Sequence, residues 1–192
     1  MPPRRKIALF GGTFDPVHLG HIYLATLAQE ALALDEVRFL PCKISPHKSG
    51  TAPASAEDRL KMLELATATL PWAIVDDFEI TQPGPSFSYL TAEAMHQRFP
   101  DARLFWIMGG DQWAALPTWK HPEILAQHVE FIVLSRGAVL QANENFRHHT
   151  ITGAHPACAT TVRSAIASGA TSHPWLDPQV SAWIAENQLY QR

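Results

Sequence analysis

Two histidines three residues apart, His18 and His21, lie within the stretch GGTFDPVHLGHIYLA, which runs from Gly11 to Ala25. If a helix begins near Asp15-Pro16 or a few residues later, both imidazoles lie on one face of its first turn. That turn carries unpaired backbone N–H groups and the positive end of the helix dipole, which suit an anion. The pair therefore predicts a phosphate site, in which two imidazoles stabilise an in-line phosphoryl displacement without a covalent intermediate.

Zinc binding and a purely structural histidine pair remain as alternatives to a phosphate site. A zinc site would need further ligands, and none of the other histidines, of which the chain has 10 in total, nor either cysteine sits at a matching short spacing. Gly20 is expected to keep the space between the two rings open, which favours a ligand over packing. The chain contains neither GxxxxGK[ST] nor GxGxxG, so no P-loop or dinucleotide fingerprint competes.

The elements that must position the histidines alternate between strands and helices. KIALF is predicted as a strand buried on both faces, IYLATLAQEALAL as a helix and EVRFLP as a second strand, which makes a parallel, right-handed β-α-β unit. AIV, ARLFWIM and VEFIVLS indicate further strands, and a short strand is expected near Thr150 to Thr152. The fold class predicted is a Rossmann-like doubly wound parallel sheet flanked by helices.

Four further helices have recognisable signals. Ser55 and Asp58 form a weak capping box, and YLTAEAMHQRF has a helical pattern. A helix is expected after Cys158, and another after Asp177-Pro178, where Asp177 caps the first turn. Residues 1–192 are therefore expected to form one domain, with a helical C-terminal portion from about 157 to 192.

Two glycine pairs end two of the predicted strands. In a doubly wound sheet, ligands bind beyond the carboxyl ends of the strands where the strand order reverses. If the first and fourth strands are neighbours, Gly11-Gly12 and Gly109-Gly110 flank one crevice, in which absent side chains let a ligand approach the backbone. This crevice is the predicted site.

Composition narrows the class of protein. The chain has 192 residues, 46% hydrophobic and 17% charged, and a formal charge of -3, so we expect a globular protein that does not bind nucleic acid. No apolar run is long enough for a signal-peptide core or a membrane span. The two cysteines, Cys42 and Cys158, have no metal-ligand spacing, which favours a reduced cytoplasmic protein. A homo-oligomer is left open.

The motif GGTFDPVHLGH resembles that of the nucleotidyltransferase superfamily with a His-x-Gly-His element, and its prefix is similar to that of bacterial nicotinate mononucleotide adenylyltransferases. Further segments follow that family's order: LDEVRFLP with SPHK, FSYLTAEAM, IMGGDQWAALPTW, VLSRG, TTVRSAI and a closing LY. The resemblance implies transfer of AMP from ATP to nicotinate mononucleotide, with deamido-NAD and pyrophosphate as products. It also implies Mg²⁺ that accompanies the triphosphate and is not held by a protein metal site.

The resemblance also implies roles for individual residues. His18 and His21 would contact the ATP phosphates and stabilise the transition state, Asp111 would lie beside a nucleotide ribose, and Trp119 would stack on the pyridine ring. The remaining ATP- and phosphate-binding candidates are Gly11, Gly12, Thr13, Phe14, Lys48, Arg136, Thr160 and Arg163. The remaining nicotinate-binding candidates are Ser88 and Tyr89.

Two segments depart from the family pattern. The usual Ser-Ser-Thr-x-x-Arg is here CATTVR, in which Cys158 and Ala159 replace the serines, and SYLTAEAM lacks the Thr and Asp that normally follow Ser-Tyr. Two further functions therefore stay open. One is transfer to a different acceptor, such as nicotinamide mononucleotide, phosphopantetheine or an alcohol phosphate, and the second is a non-catalytic nucleotide-binding homologue.

Overall fold

A computed structural model describes residues 4–44, 53–135, 137, 143 and 145–191 of the chain. Six strands are present in this part: β1 (Lys6–Gly12), β2 (Glu36–Pro41), β3 (Ala73–Val75), β4 (Arg103–Gly109), β5 (Glu130–Ser135) and β6 (His148–Thr152). The helices are α1 (Leu19–Leu32), α2 (Ala56–Thr67), α3 (Phe78–Thr81), α4 (Ser88–Arg98), α5 (Gly110–Ala115), α6 (Pro122–His128), α7 (Ala159–Ala167) and α8 (Pro178–Glu186). A 3-10 turn spans Leu116–Thr118.

All six strands pair in parallel, in the order β3-β2-β1-β4-β5-β6. The order reverses between β1 and β4, which are hydrogen-bonded neighbours, and this confirms the predicted doubly wound sheet. The carboxyl ends of these two strands diverge into helices on opposite sides, so a crevice opens between them. The predicted short strand near Thr150 is also confirmed, as β6.

Alternating side chains of β1 show how the sheet separates two cores. Ala8 and Phe10 point to one face, where α1, α2, α7 and α8 pack, whereas Ile7 and Leu9 point to the other, where α4, α5 and α6 pack. Both faces are covered, so the strand is a continuous apolar run, as the sequence predicted.

The predicted helix signals are confirmed. Ser55 Oγ accepts a hydrogen bond from the Asp58 backbone N–H at 3.0 Å, and Asp177 Oδ1 accepts one from the Gln179 N–H at 2.8 Å. α1 begins at Leu19, three residues after Pro16, which agrees with the predicted start near Asp15-Pro16 or a few residues later. The turn between β1 and α1 is held by contacts with distant parts of the chain.

Candidate active site

A cavity of about 510 Å³ opens where β1 and β4 end. Its lining comes from the end of β1 and the following turn, from the start of α1, from the end of β4 and α5, and from the segment that leads into α4. This is the crevice that the glycine pairs predicted. Gly11, Gly12 and Gly109 line it, whereas Gly110 begins α5 and is not among the lining residues.

The glycines serve neighbouring side chains as well as the cavity. A Cβ atom on Gly11 would lie 3.0 Å from the indole of Trp106, and one on Gly12 would lie 3.0 Å from the ring of Phe14. A Cβ atom on Gly109 would approach a carboxylate oxygen of Asp111 to 2.7 Å. The glycines therefore let aromatic and acidic side chains close over the ends of β1 and β4.

Phe14 links this packing to the histidines. Its φ of 50° lies in the left-handed region, a backbone conformation that is unfavourable for a residue other than glycine. Burial of Phe14, which is only 2% exposed, stabilises this conformation. The ring packs edge-on against Phe10 and against His21, with centroid distances of 5.5 and 5.0 Å. Phe14 thus lines the cavity as predicted and limits the movement of the His21 imidazole by packing against it.

His18 and His21 meet at the start of α1. His18 is the N-cap, and its backbone N–H donates to Nδ1 of His21 at 3.2 Å. An Nδ1 that accepts a hydrogen bond carries no proton, so a neutral His21 has its proton on Nε2. His21 lines the cavity, and its ring nitrogen Nε2 is the donor that the ring can offer to an anion there.

The two rings stack, with centroids 3.7 Å apart and planes 18° apart. The prediction that Gly20 keeps the space between the two rings open is therefore wrong. A Cβ atom at Gly20 would lie 3.0 Å from Nδ1 of His18 and 3.1 Å from Cβ of Ala157, so this glycine makes room for the His18 ring beside α7.

His18 is buried, with 8% of its surface exposed, and it is not among the residues that line the cavity. The expectation that both imidazoles face the crevice is therefore wrong for His18 in this structure, because its ring packs against His21. Nδ1 of His18 is buried without a hydrogen-bond partner in the described part of the chain. Such an orphaned polar atom is costly unless a ligand or water pairs with it.

Burial, followed by the nearby His155, lowers the pKa of His18 from 6.5 to about 4. Between these two pH values the unfolded chain binds a proton that the folded protein does not, so stability falls as the pH drops from 6.5 towards 4. His18→Gln removes this titration. The free energy of unfolding is measured in urea at pH 7 and at about pH 4.5. Between these two pH values, we expect this free energy to fall by about 2 kcal/mol more in the wild type than in the variant. Equal losses in the two proteins would show that His18 is not the group responsible.

Several of the predicted nucleotide-binding residues meet in the cavity. Thr13, Asp111, Ser88 and Trp119 line it together with His21. Tyr89 is not among the lining residues, and its ring packs edge-on against His121 with centroids 5.0 Å apart. A direct side-chain contact between Tyr89 and a ligand is therefore not supported.

The predicted cations are less well placed. Lys48 and Arg136 lie outside the described residues. Thr160 and Arg163 line a second cavity, of about 470 Å³, and Asp15 lines both cavities. Arg163 Nη1 donates to the backbone carbonyl of Asp15 at 2.7 Å, so the guanidinium is engaged with the turn before α1.

The lining of the first cavity is acidic. Asp15, Glu79 and Asp111 contribute carboxyl groups, and no Lys or Arg belongs to the lining in the described ranges. Burial raises the pKa of Glu79, which accepts a hydrogen bond from Thr91 Oγ1 at 2.8 Å. A triphosphate would therefore need added cations to bind here. Across the residues described, no cluster of three or more His, Cys, Asp or Glu side chains could hold a metal ion.

Sequence reasoning missed three residues that shape the site. Trp106 and Glu79 line the cavity, although Trp106 lies in a strand that reads as pure core. Arg59 is 2% exposed, and its guanidinium donates to the backbone carbonyls of Thr13, Cys42 and Ala54 at 2.8–3.0 Å. The only signal for Arg59 was a charged residue within the pattern of α2, which is typical of a solvent-exposed position.

Comparisons with known proteins agree with this geometry. The cytidylyltransferase-like family model matches residues 9–166. A probable nicotinate-nucleotide adenylyltransferase of Neisseria meningitidis serogroup C is 35% identical, over 98% of this chain and 100% of its own length. The proteins of that name from Methylacidiphilum infernorum and Desulfatibacillum aliphaticivorans are 44% and 43% identical over 68% of this chain, and the matches span 64% and 60% of those relatives.

Solved structures show the same fold. The Plasmodium falciparum nicotinic acid mononucleotide adenylyltransferase complexed with APC superposes with a TM-score of 0.79 at 15% identity, covering 97% of this chain and 98% of that one. A putative nicotinate-nucleotide adenylyltransferase from Vibrio parahaemolyticus gives 0.72 at 18% identity, covering 98% and 96%. None of the helices in the described ranges is long and apolar enough to cross a membrane.

Proposed function

Because this chain belongs to the cytidylyltransferase-like family and, within it, to the nicotinate-nucleotide adenylyltransferases, we propose that it transfers AMP from ATP to nicotinate mononucleotide. The observation that supports this most is the position of His21. His21 lines the cavity at the point where the strand order of the sheet reverses, in the N-terminal turn of α1, and its Nε2 carries the proton that it can donate.

In the proposed reaction, a phosphate oxygen of nicotinate mononucleotide attacks the α-phosphorus of ATP. The new P–O bond forms as the bond to the β-phosphate oxygen breaks, and pyrophosphate leaves with that electron pair. Negative charge spreads over the α-phosphoryl oxygens in the transition state. The His21 Nε2–H donates to these oxygens, the positive end of the α1 dipole favours their charge, and no group of the protein is covalently modified.

His18 has a supporting role in this proposal. Its lowered pKa keeps the ring neutral at pH 7, and its stacking contact limits how far the His21 ring can rotate. The buried Nδ1 of His18 becomes satisfied if a phosphate oxygen or an ordered water reaches it. The His18 backbone N–H also fixes the tautomer of His21.

We propose that Mg²⁺ enters as part of the ATP substrate. The acidic lining, which lacks Lys and Arg in the described ranges, means that an ion must neutralise the charge of the triphosphate there. When bound to the triphosphate, Mg²⁺ neutralises its charge and stabilises the departing pyrophosphate. Lys48, Arg136 and Arg163 remain candidates for phosphate contacts.

The N-terminus of α7 supports an additional phosphate contact. Cys158 occupies its N-cap, and the backbone N–H of Thr161 is the main cause of a lowered pKa of the Cys158 thiol. The same N–H groups favour any negative charge at this end of the helix. We therefore infer that backbone donors of α7 compensate for the serines that Cys158 and Ala159 replace. Neither Cys42 nor Cys158 forms a disulfide within the described residues, which is compatible with the cytoplasmic location that we propose.

The nicotinate end of the acceptor is proposed to bind at Trp119 and Ser88. Trp119 lines the cavity and offers a face on which a pyridine ring can stack. Ser88 begins α4, so backbone N–H groups at this end suit a carboxylate. Tyr89 contributes through its backbone and through packing on His121.

The acceptor is tested by incubating the protein with ATP, Mg²⁺ and, in turn, nicotinate mononucleotide, nicotinamide mononucleotide and phosphopantetheine. We expect deamido-NAD and pyrophosphate in equal amounts, with a kcat/KM for nicotinate mononucleotide at least about tenfold above that for the amide, since the α4 terminus favours a carboxylate. Preference for another acceptor would replace the proposed substrate. Binding of ATP without any product would favour the non-catalytic homologue.

A further inference from the structure

The end of the chain contacts the turn that precedes the catalytic helix. The hydroxyl of Tyr190 donates a hydrogen bond to Oδ1 of Asp15 at 2.7 Å, although the two residues are 175 positions apart. Asp15 lies three residues before His18, within the turn of residues 13–17 that joins β1 to α1. We call this segment the Asp15 turn.

Asp15 joins three remote segments. Its Oδ1 also accepts from the backbone N–H of Ala54 at 3.0 Å, just before α2, and its carbonyl oxygen accepts from Arg163 of α7 at 2.7 Å. The carboxylate is 11% exposed, so little water competes for these bonds. The Asp15 turn is thus fixed from outside, and its position fixes the start of α1.

Tyr190 is well suited to hold the carboxylate. Burial and the neighbouring Asp15 raise the pKa of its hydroxyl, so the group remains a hydrogen-bond donor at neutral pH. The tail that carries it is anchored independently. Val180 and Ile184 of α8 are buried in the core, and Trp183 Nε1 donates to Asp58 Oδ1 of α2 at 3.2 Å.

Tyr190 lines the second cavity but not the first, so it does not meet the reacting atoms directly. We propose that Tyr190 is a positioning residue for adenylyl transfer, which acts by fixing the Asp15 turn and thereby the placement of His18 and His21. The inference rests on the proposed function. A small displacement of a transition-state donor costs rate without a matching loss of substrate affinity.

The test is Tyr190→Phe, which removes one hydroxyl and keeps the ring. We expect kcat to fall about tenfold while KM for ATP and for nicotinate mononucleotide stays within about twofold. The matched control is Trp183→Phe, which removes a hydrogen bond between the same tail and α2 but leaves the Tyr190–Asp15 bond in place. Its kcat is expected to be unchanged. On an Asp15→Ala background, Tyr190→Phe should have no further effect.

A second measurement does not depend on turnover. In long-range ¹H–¹⁵N spectra of the full-length protein, Tyr190→Phe should shift the imidazole nitrogen signals of His18 and His21, and Trp183→Phe should not. Equal kcat losses in the two single variants, or imidazole signals that Tyr190→Phe leaves unchanged, would overturn the inference. If the wild type makes no dinucleotide, the proposed function fails, and the spectra still decide whether Tyr190 positions the histidines.

Discussion

Replacement of His21 by Ala is expected to lower kcat by about 10²–10³-fold, because a preorganised hydrogen-bond donor to developing phosphoryl charge is worth about that much. The dissociation constant for ATP should rise by less than about tenfold, since the α1 terminus and the remaining phosphate contacts persist. Turnover is measured as deamido-NAD formed, and ATP binding by calorimetry. The combination of lost turnover and retained binding identifies a group that acts mainly in the transition state.

The matched control is His96→Ala, which removes an exposed imidazole near the end of α4, outside the cavity. Its kcat should equal that of the wild type. His18→Ala should also lose turnover, because it removes the ring that stacks on His21. If His21→Ala and His96→Ala turned over at the same rate, His21 would not be the donor proposed here.

Replacement of Arg59 by Met is expected to destabilise the protein by about 3 kcal/mol, since one buried and two partly buried carbonyl groups lose a charged donor while the cost of burying that charge is relieved. The carbonyls of Thr13 and Cys42 lie at the ends of β1 and β2, and both of these residues line the cavity. The variant should therefore lose kcat as well as stability. Urea unfolding followed by circular dichroism gives the change in free energy.

Lys61→Met on the same helix is the control, because the Lys61 side chain is 44% exposed and pairs with Glu64 at 3.4 Å. We expect a change within about 0.5 kcal/mol. Should Arg59→Met fail to fold, Arg59→Lys keeps the charge but cannot reach all three carbonyls, and an intermediate loss is expected. If Arg59→Met were as stable as Lys61→Met, the three carbonyl groups would have to accept hydrogen bonds from other donors.

Most of the fold could be predicted because its signals are local. β1 reads as a continuous apolar run since both faces of the sheet are covered, and α8 has a capping Asp177 followed by Pro178. The predicted crevice depended on the condition that β1 and β4 are neighbours, and the sheet meets this condition. The short helices α3, α5 and α6 were not predicted, because four to seven residues carry too little periodicity.

The site could be predicted only in part. The sequence indicated that His18, His21, Asp111 and Trp119 belong together, and three of these residues line the cavity. It could not indicate that the two imidazoles stack, since that depends on where α1 begins and on the space beside Gly20. The role of Arg59, like the contact between Tyr190 and Asp15, depends on tertiary packing across 46 and 175 residues.

The proposed mechanism consists of one direct displacement at the α-phosphorus of ATP. The most direct test is the configuration at this phosphorus before and after the reaction. The donor is ATP in which one α-phosphoryl oxygen is replaced by sulfur, which makes the α-phosphorus chiral, and the acceptor is nicotinate mononucleotide. A single in-line step, stabilised by His21 and the start of α1, predicts a thio-dinucleotide with inverted configuration at that phosphorus. Retention of configuration would reveal a covalent adenylyl-protein intermediate and contradict the mechanism, and the absence of dinucleotide would contradict the function itself.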